Sequence, residues 1–231
     1  MVEGRIKEME ADMAYFPFMI DIGDRKCLVV GGGNIALHKV KILLRFGVKI
    51  YVVAPFFVED FKKISEHGSQ ILLWERQFSD RDIDGMDFVI AATDEEQVNL
   101  HVSALCKEKG VLINVVDQKE ACSFLFPAML QEKDVLVAIS SGGNSPASVS
   151  YLKKKIKKSI PDYYGGLVER LGEFRQKIMQ EVDSAGRRKE LFYKLLSYGD
   201  AHNGEIPESV ARRLIEESKS KKEGMSFEGK D

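Results

Sequence analysis

The sequence predicts a doubly wound α/β fold, in which helices cover both faces of a parallel sheet. Two observations support this prediction. In the first half of the 231-residue chain, apolar runs typical of strands alternate with segments of helical periodicity. The strand-like runs are apolar throughout, which is typical of parallel strands buried on both faces. Right-handed crossovers between such strands then produce the doubly wound topology.

Five strands and three helices are predicted in this half of the chain. A glycine follows each predicted helix, as is common at helix C-termini. The strands are predicted at residues 26–30, 48–53, 70–74, 87–92 and 111–116, and the helices at residues 34–46, 57–67 and 95–109.

The pattern changes after Asp117. Residues 123–127 and 134–140 are predicted as two strands without an intervening helix, which suits a hairpin or an exchanged dimerisation element. From Pro146 onward the sequence is helical, and its charged tail from Glu216 is predicted to be disordered. Four helices are predicted there, at residues 146–159, 167–182, 187–197 and 207–219.

These changes divide the chain into three predicted parts. They are an α/β domain over residues 1–116, a β region for dimerisation and the active site over residues 117–145, and a helical domain over residues 146–231.

Composition argues against several classes of protein. Charged residues make up 30% of the chain and hydrophobic residues 44%, with a formal net charge of -2, so a nucleic-acid partner is not expected. The sequence contains neither a run of about 18 apolar residues nor a secretory signal pattern, so no membrane span is expected. Cys27, Cys106 and Cys122 lack disulfide or metal-ligand spacing, which favours a reduced, cytoplasmic compartment.

A glycine-rich turn joins the first predicted strand to the first helix. Gly31, Gly33 and Ala36 match the pattern G-x-G-x-x-A. Gly31 allows a tight turn, Gly33 lets a pyrophosphate approach the backbone, and Ala36 lets helix and strand pack closely. The N–H groups at Asn34 and Ile35 would then face the anion. The glycines could also form a simple turn, but their setting favours a dinucleotide site of Rossmann type.

The acid that usually binds the ribose hydroxyls is missing after the second strand. About 20 residues beyond the glycines, the chain reads Val53, Ala54, Pro55 and Phe56. Backbone groups near Pro55 are therefore expected to contact the ribose. This stretch also lacks an arginine for a 2′-phosphate, which favours NAD over NADP.

Two later turns also resemble ligand sites. Asp117 follows the fifth predicted strand, at the sheet edge where open α/β folds bind ligands, although a surface turn is the better interpretation of this residue taken alone. Residues 140–146 (SSGGNSP) form a turn of small residues before a helix, with Ser145 as N-cap and Pro146 at the first helical position. Such a turn can present hydroxyl and N–H groups to an anion, or it can simply cap the helix.

Five ordered motifs carry a family resemblance: GGGNIA, AATDEEQVN (Ala91–Asn99), NVVD, SFLFP and SSGGNSP. Together they resemble the precorrin-2 dehydrogenase family, which includes the N-terminal module of siroheme synthase and stand-alone enzymes. The resemblance runs from about Phe16 to Pro161, with a weaker continuation to about residue 200.

The resemblance implies NAD-dependent oxidation of precorrin-2 to sirohydrochlorin by a homodimer. Some family members also insert ferrous ion into sirohydrochlorin. Carried over by motif, the catalytic residues are Asp117, at the end of NVVD, and Ser141, the second serine of SSGG. The implied cofactor contacts are Gly31, Gly33, Asn34, Ile35, Pro55, Phe56 and Thr93. The implied substrate-binding residues are Ser140, Gly142, Asn144, Ser145 and Lys153.

Some positions depart from the family pattern. His38 precedes Lys39 where the family commonly has Arg-Lys, Asn144 replaces a usual threonine or lysine, and Ser150 replaces an arginine. These departures concern how the substrate carboxylates are held. The basic run over residues 153–158 is expected to be mainly a solvated helix face, with Lys153 as the exception because it is nearest the turn.

Asp117 is the expected base for the proton lost from precorrin-2, and it could accept pyrrole protons during metal insertion. Two other functions stay open. One is a non-catalytic NAD-sensing module, although such modules usually keep the acid after the second strand and lack the NVVD and SSGG turns. The other is a bifunctional dehydrogenase and ferrochelatase.

Overall fold

The structure, a computed structural model, describes residues 15–67 and 70–220. None of the helices in this part of the chain is long and apolar enough to cross a membrane. The described residues form two compact units. The first comprises residues up to 126 together with 142–144, and the second comprises 127–141 and those from 145 onward. The functional division into residues 1–116, 117–145 and 146–231 remains a prediction.

The first unit is built on a five-stranded parallel sheet in the order β3-β2-β1-β4-β5. Neighbouring strands pair in parallel register, for example Val30 with Val53 on one side and Ala91 on the other. This arrangement confirms the predicted α/β fold with a Rossmann-type sheet. The strands are β1 (Lys26–Val30), β2 (Lys49–Ala54), β3 (Ile71–Glu75), β4 (Phe88–Ala91) and β5 (Leu112–Val115), and the helices are α1 (Asn34–Leu44), α2 (Glu59–His67) and α3 (Glu96–Lys109).

The sheet is covered on both faces, which explains why its strands are apolar throughout. Successive residues of β1 enter different cores: Cys27 and Val29 pack with α1 and α2, whereas Leu28 and Val30 pack with α3. All four of these side chains are buried. Because a strand side chain alternates between faces, a strand with helices on both sides must be apolar at every position.

In the residues that the structure describes, the second unit consists of a hairpin and four helices. The hairpin strands are antiparallel, with Leu130 opposite Val137. A separate core holds three of the helices together, with Leu167, Ile178, Leu191 and Ile215 at its centre. The elements are β6 (Ala128–Glu132), β7 (Val135–Ile139), α4 (Pro146–Ser159), α5 (Tyr164–Glu181), α6 (Ala185–Ala201) and α7 (Glu208–Ser220).

The predicted strand at residues 123–127 is wrong, because the first hairpin strand begins at Ala128. The Ser123 hydroxyl instead accepts a hydrogen bond from the Ile113 N–H at 2.8 Å. Phe124 and Phe126 pack against the core beside α1. The aromatic residues that resembled a strand are therefore anchors of an irregular segment that lies against β5.

The helix predicted at residues 207–219 is confirmed as α7 (Glu208–Ser220). The disorder predicted from Glu216 onward is wrong for residues 216–220, because they belong to this helix. Lys219 forms ion pairs with Glu181 at 2.6 Å and with Glu216 at 2.7 Å. The predicted disorder of residues 221–231 falls outside the described part of the chain.

Candidate functional site

Gly31 makes the tight turn after β1. Its φ of 125° lies in a region that L side chains rarely adopt. A Cβ at this position would lie 2.2 Å from the backbone oxygen of Ala92, which follows β4. Only a glycine therefore lets β1 turn this close to the end of β4.

Gly32 is required for a different reason. A Cβ there would lie 2.0 Å from the backbone oxygen of Phe56, and the Gly32 oxygen accepts a hydrogen bond of 3.0 Å from the Val58 N–H. The turn and the loop after β2 are thus in direct backbone contact. Sequence reasoning assigned no role to Gly32, because the close approach depends on tertiary structure.

Gly33 faces open space. A Cβ at this position would have no atom of the described residues within 4 Å, and its backbone conformation is one that any residue adopts. Gly33 is also the N-cap of α1, which has no side-chain cap and no acid in its first turn. The first N–H groups of α1, beginning at the exposed Asn34 and Ile35, are therefore open to an anion. This opening fits the pyrophosphate of a dinucleotide, which a side chain at Gly33 would displace.

Five of the predicted cofactor contacts line one pocket of about 750 Å³ in the first unit. The pocket lies at the carboxyl ends of β1, β2 and β4, where open α/β sheets bind ligands. Its volume is within the usual range for cofactor sites. Phe56 extends into solvent at its rim, with 81% of its surface exposed. The five contacts are Gly31, Gly33, Pro55, Phe56 and Thr93.

Asn99 holds in place the loop after β4, where Thr93 lines this pocket. Its side-chain oxygen accepts hydrogen bonds from the Thr93 N–H at 3.1 Å and from the Thr93 hydroxyl at 2.8 Å. Its amide donates to the Thr93 carbonyl at 2.9 Å. Asn99 is buried on α3. The AATDEEQVN motif contains both residues, but their pairing across six positions was not predicted.

The charged residues that line the pocket are Asp80, Asp94, Glu95 and His101. His101 Nε2 lies 2.8 Å from Asp80 Oδ1. Neither lysine nor arginine is among the residues found to line this pocket in the described part of the chain. The charged side chains that line the pocket are therefore three carboxylates and one imidazole.

Asp117 lies at the same sheet edge, beyond β5. The Val116 N–H donates to the Ala91 oxygen at 3.0 Å, which holds the end of β5 beside the end of β4. Asp117 is exposed and has a φ of 60°, a left-handed conformation that aspartate adopts more readily than most residues. A carboxylate thus stands one strand away from the dinucleotide pocket.

Asn114 and Cys122 secure the segment around Asp117. The amide of Asn114, which is buried, donates to the Phe124 oxygen at 3.0 Å. The Val115 N–H donates to Cys122 Sγ at 3.1 Å, and the thiol can donate to the Gln118 oxygen at 3.3 Å. The turn that carries Asp117 is therefore fastened on both sides to β5 and the chain that follows.

Lys39 of α1 approaches this turn. Its ammonium lies 4.2 Å above the centre of the Phe126 ring. Burial lowers the pKa of Lys39 from its ordinary value of 10.5, although Cys122 and Asp117 act in the opposite direction. Sequence reasoning named Lys39 as a polar residue of the first helix and as part of a family dipeptide, and assigned it no contact.

The second predicted turn begins in the other unit. There the Ser141 hydroxyl accepts a hydrogen bond of 3.0 Å from the Ser145 N–H, and the Ser145 hydroxyl caps α4 by accepting from Ser148 N–H at 3.3 Å. The capping role predicted for Ser145 is thus present. Ser140 is exposed at the end of β7, and Lys153 is half-buried on α4.

The middle residues of this turn, Gly142–Asn144, belong to the first unit. Gly142 and Gly143 have φ values of 62° and 86°. A Cβ at Gly143 would lie 3.0 Å from the side chain of Lys119, two residues after Asp117. Asn144 is exposed. The roles of Ser140, Ser141, Gly142, Asn144, Ser145 and Lys153 in substrate binding or catalysis remain predictions.

Comparison with known proteins agrees with the motifs. A family model described as putative NAD(P)-binding matches residues 18–128, which confirms the expected class of cofactor. A siroheme synthase from Thioalkalivibrio sulfidiphilus is 38% identical over 184 residues, which cover 80% of this chain and 37% of that protein. A siroheme synthase from Nitrosomonas eutropha is 35% identical over 184 residues, covering 80% of this chain and 39% of that protein.

A solved structure, described as SirC, precorrin-2 dehydrogenase, shares the fold. It matches with a TM-score of 0.67 at 23% identity, covering 90% of this chain and 100% of the other. This chain spans about two fifths of the length of the siroheme synthases named above. Over four fifths of its length the chain is thus similar to siroheme synthases, and it shares the fold of a precorrin-2 dehydrogenase.

Proposed function

We propose that the chain oxidises precorrin-2 to sirohydrochlorin with NAD, on the route to siroheme. The observation that carries this proposal is the position of Asp117. Its carboxylate follows β5, one strand from the pocket that the glycine turn and Thr93 line. A dehydrogenase needs a hydride acceptor and a proton acceptor beside one substrate, and this sheet edge offers a place for each.

The pocket favours NAD over NADP. In dinucleotide sites of this fold, a 2′-phosphate is usually accommodated by an arginine. The charged residues lining this pocket are instead Asp80, Asp94, Glu95 and His101. Three carboxylates would repel an additional phosphate, whereas the ribose hydroxyls of NAD are neutral. We therefore expect a much lower KM for NAD than for NADP.

Each part of the site has a distinct task in this reaction. When bound, NAD supplies the hydride acceptor. The N–H groups at the start of α1 hold the pyrophosphate, and the backbone near Pro55 contacts the ribose. Asp117 accepts the proton that leaves the macrocycle, so that substrate loses one hydride and one proton in total. The left-handed turn at Asp117 holds the carboxylate at the sheet edge and exposed to an incoming substrate.

Metal insertion is a second reaction to test at the same carboxylate. Among the described residues, no three His, Cys, Asp or Glu side chains are grouped closely enough to hold a metal ion. In a chelatase reaction the ferrous ion would be a substrate and the tetrapyrrole nitrogens its main ligands. Asp117 would then accept the pyrrole protons that the metal replaces.

We also propose that the protein acts as a homodimer in the cytoplasm. In the described residues, β6 and β7 form a sheet of two strands, so each keeps one unpaired edge. Val135, Leu136 and Val137 of β7 are only half-buried. A second copy would cover such an apolar edge. Cys27 and Cys106 are buried free thiols, which suits a reducing compartment.

The test is anaerobic incubation of the purified protein with precorrin-2 and NAD. NADH absorbance and the spectrum of sirohydrochlorin should rise together, one NADH for each molecule of product. Binding of NAD without turnover of precorrin-2 would instead support the alternative, a non-catalytic NAD-sensing module. Ferrous or cobaltous ion is added in a second stage, and a metal-dependent spectral change faster than that without protein would establish chelatase activity.

A further inference from the structure

Lys39 occupies an unusual position for a lysine. It lies on α1, the helix whose N-terminus forms the proposed pyrophosphate site, and its side chain is half-buried. Lysine is among the residues most often exposed in folded proteins. Burying part of its charged side chain carries a desolvation cost, which is consistent with the lowered pKa of its ammonium.

The protein does not offset this cost with an ion pair in the part of the chain that the structure describes. The ammonium lies over the face of Phe126, where a cation–π contact is favourable within about 6 Å. Asp117 and Cys122 are near enough to raise the pKa of Lys39, but among the described residues no ion pair of 4 Å or less joins Lys39 to Asp117. Lys41, two residues along the same helix, does pair, with Asp60 at 3.1 Å.

These surroundings suit an anionic group attached to a flat apolar molecule. The aromatic ring of Phe126 adjoins the ammonium, and Asp117 offers a proton acceptor in the same neighbourhood. The substrate of the proposed function is a macrocycle with acetate and propionate arms. A carboxylate arm would complete the hydrogen bonding of the ammonium while the macrocycle lies towards Asp117.

We propose that Lys39 binds a carboxylate arm of the tetrapyrrole and thereby places the macrocycle against Asp117. This inference rests on the proposed function, because it takes its ligand from that reaction. It makes Lys39 a substrate-binding residue that works mainly through affinity. Removing its charge should therefore raise the KM for precorrin-2 more than it lowers kcat.

Lys39→Met tests the proposal, since methionine keeps much of the length and apolar volume of the lysine side chain but has no charge. Lys41→Met is the matched control, because it removes the same charge from the same helix at an exposed ion pair. Lys39→Arg tests whether a positive charge is enough. The expected result is a rise in precorrin-2 KM of about 10- to 100-fold for Lys39→Met. Wild-type values are expected for Lys41→Met, and partial recovery for Lys39→Arg.

A second measurement does not depend on turnover. Uroporphyrin III, a stable tetrapyrrole with the same kinds of carboxylate arm, is titrated into each variant and its binding is followed by absorbance. Affinity should fall for Lys39→Met by a similar factor, while NAD affinity stays unchanged and shows that the first unit is folded.

The outcomes separate the two proposals. Suppose that the wild-type protein turns over precorrin-2 and that Lys39→Met has the same KM and the same uroporphyrin affinity. Lys39 then does not bind a carboxylate arm of the substrate, and the proposed function stands. If only kcat falls in Lys39→Met, Lys39 acts on Asp117 rather than on the substrate, and the proposed binding of a carboxylate arm is also wrong. If the wild-type protein neither binds uroporphyrin nor oxidises precorrin-2, both proposals fail.

Discussion

Asn99 holds Thr93 by three hydrogen bonds, accepting from its N–H and hydroxyl and donating to its carbonyl. The pair therefore fixes the loop after β4, where Thr93 lines the dinucleotide pocket. The shape of the pocket on this side is set by a buried amide on α3, behind the surface that a ligand would touch.

Replacing Asn99 with leucine should destabilise the protein and weaken NAD binding together. The backbone N–H and carbonyl of Thr93 would lose their partner, which typically costs about 1–3 kcal/mol of unfolding free energy. Denaturant unfolding and NAD titration measure the two effects. Thr93→Val and the double variant complete a cycle, and additive losses in that cycle would show that the two side chains are not coupled.

Gly33→Val should abolish NAD binding and leave the fold intact. Its Cβ enters open space, so the protein tolerates the side chain, which then occupies the proposed pyrophosphate site. Gly32→Ala is the contrasting variant, because its Cβ would meet the Phe56 oxygen at 2.0 Å and force the backbone apart. Thermal unfolding should therefore separate the two variants. Unchanged NAD affinity in a folded Gly33→Val protein would place the cofactor elsewhere.

Asp82 should make the stability of the first unit depend on pH. Burial raises its pKa, but hydrogen bonds from Arg76 and from the Ser79 N–H outweigh this effect and hold the pKa below its ordinary value of 3.8. A carboxyl whose pKa is lowered on folding stabilises the protein above its unfolded pKa and loses that contribution as pH falls through the folded pKa.

Asp82→Asn should therefore reduce the free energy of unfolding by about 1–3 kcal/mol at pH 7. The difference from the wild-type protein should shrink as pH falls below 3.8, the ordinary pKa of the carboxyl. Asp84→Asn is the control, since its exposed pair with Lys109 should contribute less than about 1 kcal/mol. If the difference in unfolding free energy between Asp82→Asn and the wild-type protein stays constant from pH 7 to below pH 3.8, folding does not lower the pKa of Asp82.

The proposed homodimer should depend on the hairpin. Val137 lies opposite Leu130, and both are half-buried. Val137→Glu places a charge in this apolar surface and should convert a dimer at micromolar concentration to a monomer in sedimentation experiments. Leu72→Glu, at an exposed residue of β3 in the first unit, should leave the dimer intact. A wild-type protein that sediments as a monomer would refute the proposal.

The parallel sheet was predictable because burial on both faces leaves a clear sequence pattern. Every residue of β4 is buried, and its sequence FVIA is apolar without interruption. The first hairpin strand left no such pattern. Its sequence AMLQE is half-exposed, whereas the aromatic segment before it packs irregularly against the first core. The strand-forming residues of that aromatic segment pack against the core and do not belong to a strand.

The candidate site was predictable where local geometry is encoded in short motifs. The glycine turn and Asp117 follow strand ends, so their common edge could be inferred from the order of elements. The roles of Gly32, Lys39 and Asn99 could not be predicted from the sequence. Each role depends on contact with a residue elsewhere in the chain, or on the side of the helix from which the side chain projects. The closest of these partners, Thr93 for Asn99, is six residues away.

The central claim is most directly tested by the turnover of Asp117→Asn. Asparagine also tolerates a positive φ, so the substitution should preserve the turn, the stability of the fold and NAD affinity while removing the proton acceptor. Loss of a general base typically lowers the rate by about 10²–10⁴-fold, and Ser141→Ala should cost less, because water can replace a hydroxyl that only orients the substrate.

The measurement is steady-state NADH production from precorrin-2 under anaerobic conditions, with wild-type protein and Asp117→Asn side by side at saturating NAD. We expect the variant to bind NAD normally and to produce NADH at least about a hundredfold more slowly. A variant that keeps more than about a third of wild-type turnover, far above that range, would show that Asp117 is not the base.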